Sequence, residues 1–113
     1  MKEERVERPL RTSEFEIYFD TRSAMQGWRD FVATRRNEAV VAWDFLTSNP
    51  LEQTHNNYQL KSNLAFLIRA GESFERWQYK PSSTSDIRIW FYVKQNRVLL
   101  EQVHTHHPNQ TKR

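Results

Sequence analysis

The sequence has no cysteine, and it has only two glycines, Gly27 and Gly71. The missing cysteines exclude disulfide bonds, thiolate metal ligands and thiol nucleophiles, and they make a reducing cytoplasm the expected compartment. Two isolated glycines cannot form a glycine-rich phosphate loop, so a fold that binds a nucleotide cofactor is not expected. No cofactor of any other kind is indicated by a motif.

Long apolar runs are also missing. No run approaches the roughly 18 residues that a membrane span requires, and the charged segment 1–12 has no apolar core of a secretory signal. What the chain does have is 113 residues with four Trp, four Tyr and seven Phe, which predicts one compact domain. We expect a flexible arm over 1–12, a single domain over 13–107 and a tail over 108–113.

Apolar periodicity predicts a strand followed by two helices. Residues 15–19 alternate apolar and polar side chains, as in a strand with one buried face. The next apolar side chains recur every three and four residues, which predicts an amphipathic helix capped by Thr21 or Ser23. The same spacing resumes after Asn37, the predicted cap of a second helix, and ends before Pro50. A helical hairpin is expected, although one kinked helix would have a similar pattern.

The second half of the chain predicts strands. The segment 48–62 is polar and is predicted to be a loop. Segments 64–69 and 74–79 flank a glycine turn, and 87–94 and 97–103 flank a tight polar connection, so two β-hairpins are expected. The order is β-α-α-β-β-β(-β). This predicts an α+β fold with the helical hairpin packed on one face of a small antiparallel sheet.

The other face of that sheet is expected to be exposed and to carry Arg88, Trp90 and Tyr92, which alternate with apolar residues. Residues 74–113 have a net charge of +4, whereas residues 1–73 have a net charge of −1. Basic charge interleaved with aromatic rings is typical of a nucleic-acid-binding surface, although many other proteins have a basic half.

Two stretches carry a family resemblance. Leu60-Lys61-x-Asn63-Leu64 follows the polar loop, and Arg88-Ile-Trp-Phe-Tyr-Val leads to a histidine-bearing end. With the element order, they make roughly residues 14–107 resemble the RelE/YoeB/ParE superfamily of toxins from toxin–antitoxin pairs. The resemblance implies a small ribonuclease that cleaves mRNA without metal, often on the ribosome, and an antitoxin that wraps it. A branch of the same fold inhibits DNA gyrase and cleaves nothing.

The resemblance also implies site residues. The family's arginine at the start of the central strand falls on Arg88, and the histidine that lies eighteen residues beyond it falls on His106. The lysine of the first motif falls on Lys61. The sequence departs from the family at 57–59, where Asn, Tyr and Gln replace an acidic residue, and in the missing C-terminal tyrosine.

The chemistry of metal-independent RNA cleavage fits these residue types. A base must take the 2′-hydroxyl proton, an acid must protonate the leaving 5′-oxygen, and a cation must neutralise the phosphoryl oxygens. Histidine titrates near neutrality and arginine binds phosphoryl oxygens in a fork, so Arg88, His104, His106 and His107 are the candidates. On an extended strand His104 and His106 lie on one side and His107 on the other. Solvated histidines on a polar C-terminus are the alternative, and no metal site is expected.

Further residues are predicted to hold RNA. Lys80, Lys112 and Arg76 would position phosphates, and Trp90 and Tyr92 would stack a base. The alternatives are solvated surface cations and, for the two rings, a cross-strand aromatic pair or a covered sheet face. RNA and an antitoxin are the expected partners. A nucleic-acid-binding domain without turnover is a third possible function.

Overall fold

The computed structural model describes residues 3–11 and 13–105, and it has two helices packed on a β-sheet, which confirms the α+β prediction. The elements in chain order are β1 (Glu16–Phe19), α1 (Arg22–Thr34), α2 (Arg36–Ser48), β2 (Asn57–Gln59), a 3₁₀ turn (Ser62–Leu64), β3 (Phe66–Arg69), β4 (Glu72–Glu75), β5 (Trp77–Tyr79), β6 (Arg88–Lys94) and β7 (Arg97–His104). None of the described helices is long and apolar enough to cross a membrane.

The main sheet has five strands in the order β1-β7-β6-β5-β2, and β3 and β4 form a separate two-stranded hairpin. Strands β2, β5, β6 and β7 are antiparallel, as predicted, but β1 is parallel to β7, with Ile17 opposite Val98. The sheet is therefore mixed. A tight hairpin dictates an antiparallel neighbour, whereas β1 and β7 are joined only through the rest of the domain, so no turn fixes their direction.

The helical hairpin is confirmed, and one of its two predicted caps is wrong. Thr21 caps α1, because its side-chain oxygen accepts from the backbone N–H of Ala24 at 2.9 Å. Asn37 does not cap α2, which begins at Arg36. A single residue, Arg35, ends α1 and precedes α2, so Asn37 already lies within the first turn of the second helix.

The core lies between the two helices and the sheet. Its buried members are Ala24, Phe31, Ala39, Ala42, Leu46, Trp77, Tyr79, Ile87, Ile89, Phe91, Val98, Leu100 and Val103. Helix α1 approaches β7 so closely at Gly27 that a Cβ atom there would lie 2.2 Å from the carbonyl oxygen of Val103. Only glycine, which has no Cβ, allows this close approach, and α1 therefore packs directly on β7.

The segment 48–79 differs in part from its prediction. The hairpin at Gly71 is confirmed, and both turn residues, Ala70 and Gly71, have the positive φ of a two-residue turn. The predicted strand 74–79 is divided at Arg76 into β4 and β5, which belong to different sheets. The predicted loop contains β2, because buried Asn57 donates to the carbonyls of Pro50 and Glu52 at 2.9 Å and fixes the segment beside β5.

Candidate functional site

The face of the main sheet that points away from the helices, here called the hairpin face, is covered at one end. Leu67 and Phe74 of the β3–β4 hairpin pack on Tyr92 and Leu99. Tyr92 is only 3% exposed, and its hydroxyl donates to Asp20 at 2.7 Å. Burial, and then this hydrogen bond, raise the pKa of Tyr92 to about 12. The expectation that Tyr92 is exposed is wrong.

Trp90, next along this face, is also buried, with 2% of its surface exposed. The Arg76 guanidinium carbon lies 5.7 Å from the centre of the indole, and the His104 ring meets it edge-on, also at 5.7 Å between ring centres. The expectation that Trp90 is exposed is therefore wrong as well, and no base can stack on its ring in this conformation. Strand alternation assigns a side chain to a face but does not reveal whether another element covers that face.

Arg76 lies between the hairpin and the sheet. Its Nε and Nη2 donate to the two carboxylate oxygens of Glu101 at 2.8 Å, and Nη1 donates to the carbonyls of Leu64 at 3.1 Å and Phe66 at 3.3 Å. The sequence predicts a phosphate-binding role for Arg76, but most of its donors are used within the protein. Both charged groups are largely buried, so this pair joins the 3₁₀ turn and β3 to β7.

Arg88 and His104 lie at the opposite end of the hairpin face from Tyr92. This end is here called the uncovered end because, among the described residues, the apolar contacts of the β3–β4 hairpin involve Tyr92 and Leu99 and not this pair. They are the first residue of β6 and the last residue of β7, and they are direct partners in the antiparallel ladder. Direct partners project to the same side with Cβ atoms roughly 5 Å apart. Their neighbours Ile89 and Val103 point into the core, so both side chains lie on the hairpin face. Both side chains are half-buried.

The backbone before β6 orients Arg88. Its Nη1 donates to the carbonyl oxygens of Ser85 and Ile87, the latter at 2.9 Å. Among residues 3–11 and 13–105, Arg88 forms no ion pair, so neither Asp86 nor Glu75 neutralises it. Within the same residues, no hydrogen bond uses Nε or Nη2, so these donors can address an anionic ligand.

Only one of the three C-terminal histidines belongs to the described part of the chain. Nε2 of His104 lies 2.6 Å from the side-chain oxygen of Gln102, which holds the imidazole against the sheet. His106, His107 and Lys112 lie outside the described residues, so their predicted roles stay predictions. The eighteen-residue spacing pointed to His106, whereas the strand register brings His104 beside Arg88.

Lys61 and Lys80 lie towards the β2 side of the site. Lys80 Nζ is 5.6 Å from the centre of the Tyr58 ring, and exposed Lys61 lines an open cleft together with Tyr58. The Tyr58 hydroxyl accepts a hydrogen bond from Gln78. Sequence reasoning missed Tyr58 and Gln78, because their pairing becomes visible only when β2 is known to lie beside β5.

The described residues contain no group of three or more His, Asp or Glu side chains that could hold a metal ion. The acidic side chain nearest in sequence to His104 is Glu101, which is buried and bound to Arg76. The described groups at this end of the face are thus the Arg88 guanidinium, the His104 imidazole and the Lys80 amine. The Tyr58 phenol lies further along the face, opposite Gln78, and Lys61 follows β2 near Arg76.

Comparison with known proteins identifies solved structures with a similar fold. No protein-family model matches the chain, and no curated protein matches it. Two solved structures match: the YoeB dimer from Staphylococcus aureus, with a TM-score of 0.58 and 16% identity, and the YoeB–YefM complex from the same organism, with 0.57 and 15%. Each match covers 82% of this chain and 98% of the other chain. The chain therefore has a RelE/YoeB-like fold, as the sequence resemblance predicts.

Proposed function

We propose that this protein is the toxin of a type II toxin–antitoxin system and that it cleaves RNA without a metal ion. The observation that carries the proposal is the pairing of Arg88 with His104 at the uncovered end of the β6–β7 ladder, in a chain with a YoeB-like fold. This pair supplies the two group types that such cleavage needs, a phosphate-binding cation and an acid or base.

The reaction moves two protons and exchanges one P–O bond. A base removes the 2′-hydroxyl proton, the 2′-oxygen attacks the adjacent phosphorus, and the bond to the 5′-oxygen breaks as an acid protonates that oxygen. Arg88 stabilises the negative charge that builds on the phosphoryl oxygens. His104, His106 and His107 are the candidates for acid and base. The products are a 2′,3′-cyclic phosphate and a free 5′-hydroxyl.

The remaining parts of the proposal concern partners. Lys80 holds the RNA backbone beside the reacting phosphate, Lys61 holds it further along β2, and Lys112 of the tail is also assigned to the RNA backbone. The substrate is mRNA, on the ribosome or free in the cytoplasm. One of the two similar structures is a complex of YoeB with YefM, which supports an inhibitory antitoxin as a protein partner of this chain.

The test is cleavage of RNA, with and without ribosomes, by wild type and by single alanine variants of Arg88, His104, His106 and His107. We expect Arg88→Ala to lower the rate constant roughly 10²–10³-fold, and alanine at a catalytic histidine to lower it roughly 10²–10⁴-fold. Arg97→Ala is the matched control, because Arg97 is an exposed arginine on β7 at the far end of the ladder. Equal cleavage by Arg88→Ala and Arg97→Ala would contradict the assignment, as would products without a cyclic phosphate.

A second candidate is a non-catalytic inhibitor of DNA gyrase. It is favoured by the absence of a carboxylate at 57–59 and by the engagement of buried Glu101 with Arg76. Its test is a supercoiling assay with purified gyrase in parallel with the RNA assay. Inhibition of supercoiling without RNA cleavage would favour this candidate over the ribonuclease.

A further inference from the structure

Three hydrogen-bonding side chains form a chain across the hairpin face beside the Arg88–His104 pair. The indole N–H of Trp90 donates to Gln78 Oε1 at 2.7 Å, and Gln78 Nε2 donates to the hydroxyl oxygen of Tyr58 at 2.8 Å. These residues belong to β6, β5 and β2, which are adjacent in the sheet. The chain therefore runs from the buried middle of the face to its edge.

The direction of these hydrogen bonds is fixed at the buried end. An indole N–H can only donate, so the carbonyl oxygen of Gln78 must face Trp90 and its amide nitrogen must face Tyr58. The Tyr58 oxygen then accepts, and its own hydrogen points away from Gln78. Among the residues that the structure describes, no hydrogen bond uses that hydrogen. Because Trp90 is buried, water cannot replace Gln78 as its acceptor, and this holds the arrangement in place.

Tyr58 lies among basic side chains at the edge of the sheet. Tyr58 lines the open cleft together with Lys61 and His55, and Lys80 Nζ lies over its ring. A hydroxyl donor in a cleft with basic side chains suits an oxygen with negative charge. The cations attract a polyanion from any direction, whereas the hydroxyl donor fixes the position of one ligand oxygen.

We propose that this cleft is a binding subsite for a phosphodiester of the RNA chain, in which the Tyr58 hydroxyl donates to a phosphoryl oxygen. Gln78 is a positioning residue that acts through Tyr58, and Trp90 fixes Gln78. The identity of the ligand as RNA rests on the proposed function, but the subsite concerns binding and not the cleavage step.

The first test is the affinity of Tyr58→Phe for a short RNA that carries 2′-deoxy nucleotides and cannot be cleaved. We expect about tenfold weaker binding than wild type, because one hydrogen bond to a charged oxygen is lost. The slope of affinity against salt concentration should stay the same, since no charge is removed. Tyr18→Phe is the matched control: Tyr18 is exposed, a cation also lies over its ring, with Arg97 5.0 Å from the ring centre, and its hydroxyl donates to Glu16. Its affinity should equal that of wild type.

The second test reverses the direction in which the Tyr58 hydroxyl donates its hydrogen bond. In Gln78→Glu both carboxylate oxygens accept, one from Trp90 and one from Tyr58, so Tyr58 would donate inward and no longer to RNA. The added charge also repels RNA, and the Tyr58→Phe background isolates that repulsion. We expect Gln78→Glu to weaken binding about tenfold more in the wild-type background than in the Tyr58→Phe background. Thermal unfolding of each variant checks that it is folded.

The outcomes separate this proposal from the proposed function. If Tyr58→Phe binds as well as wild type, or if wild type does not bind the uncleavable RNA, the subsite is wrong. Cleavage of ordinary RNA by wild type decides the ribonuclease proposal independently. If wild type binds with the expected losses in the variants but cleaves nothing, the nuclease proposal fails and the subsite stands.

Discussion

At the scale of single residues, two arginines of the hairpin face differ in their partners within the protein. Arg76 uses three of its nitrogens within the protein, and its partner Glu101 is buried. Arg88 is oriented by two carbonyl oxygens and has no described carboxylate partner. An arginine that is neutralised inside the fold stabilises it, whereas an arginine that is oriented but not neutralised can bind an anion.

This distinction predicts the behaviour of Arg76→Met. The substitution leaves the Glu101 carboxylate buried without its bidentate partner, so we expect the free energy of unfolding to fall by about 3–5 kcal/mol. The double variant Arg76→Met/Glu101→Leu should recover most of that loss, because it removes both charges. Urea denaturation measures each value. Arg35→Met, which breaks a surface pair with Glu38, is the control and should cost less than about 1 kcal/mol.

The result also tests whether Arg76 binds RNA. If Arg76→Met unfolds at the same urea concentration as wild type while its affinity for RNA falls, Arg76 is a substrate-binding residue and the structural role is wrong. If stability falls and the double variant binds RNA as wild type does, the structural role is right.

At the scale of elements, the contact between α1 and β7 connects the helices to the site. Gly27 lies against the carbonyl of Val103, and Val103 immediately precedes His104. We expect Gly27→Ala to lower the free energy of unfolding by about 1–3 kcal/mol, since its Cβ must push α1 and β7 apart. We also expect slower RNA cleavage, because the end of β7 moves. Urea denaturation and the cleavage rate are the two measurements.

The other glycine supplies the control. Gly71 has a φ of +80° and no atom near the position of a Cβ, so Gly71→Ala strains the turn without touching a neighbour. It should cost roughly 1–2 kcal/mol of stability and leave the cleavage rate of the folded protein unchanged. Unchanged stability of Gly27→Ala, or an equal loss of cleavage in both glycine variants, would contradict the proposed link between α1 and His104.

A helix or strand can be predicted from the sequence when its pattern lies within its own residues, and it cannot when it depends on contacts with distant parts of the chain. Both helices and the strands around 91 and 100 have a clear apolar period, and the turn at Gly71 needs positive φ, so the sequence alone identifies them. Strand β2 has no such period, because its buried residue, Asn57, is polar and its side-chain nitrogen donates to the carbonyls of Pro50 and Glu52. The parallel pairing of β1 with β7 and the irregular register between Trp90 and Phe91 depend on the assembled sheet.

At the scale of the whole molecule, the candidate site is only partly predictable for the same reason. The family resemblance points to Arg88, Lys61 and His106. His104 was only one of the two further histidine candidates. The strand register pairs it with Arg88. The hairpin closes over Tyr92, which no periodicity reveals, and the link from Trp90 to Tyr58 crosses three strands. The sequence thus names candidate residues for the chemistry, but it does not predict which of them are accessible.

The distribution of charge over the molecule leads to the last prediction. If RNA runs from the uncovered end of the hairpin face along the cleft beside β2, Lys61 and Lys80 each release a counterion from a phosphate on binding. The variant Lys61→Gln/Lys80→Gln should then flatten the slope of log affinity against log salt concentration by about 1.4 for a single strand. Lys94→Gln/Arg97→Gln removes the same two charges at the opposite end of the β6–β7 ladder and should leave the slope unchanged. Titration of an uncleavable RNA at four salt concentrations gives both slopes. Equal flattening in the two double variants would mean that RNA responds only to the net charge of +3, and it would remove the hairpin face as the specific binding surface.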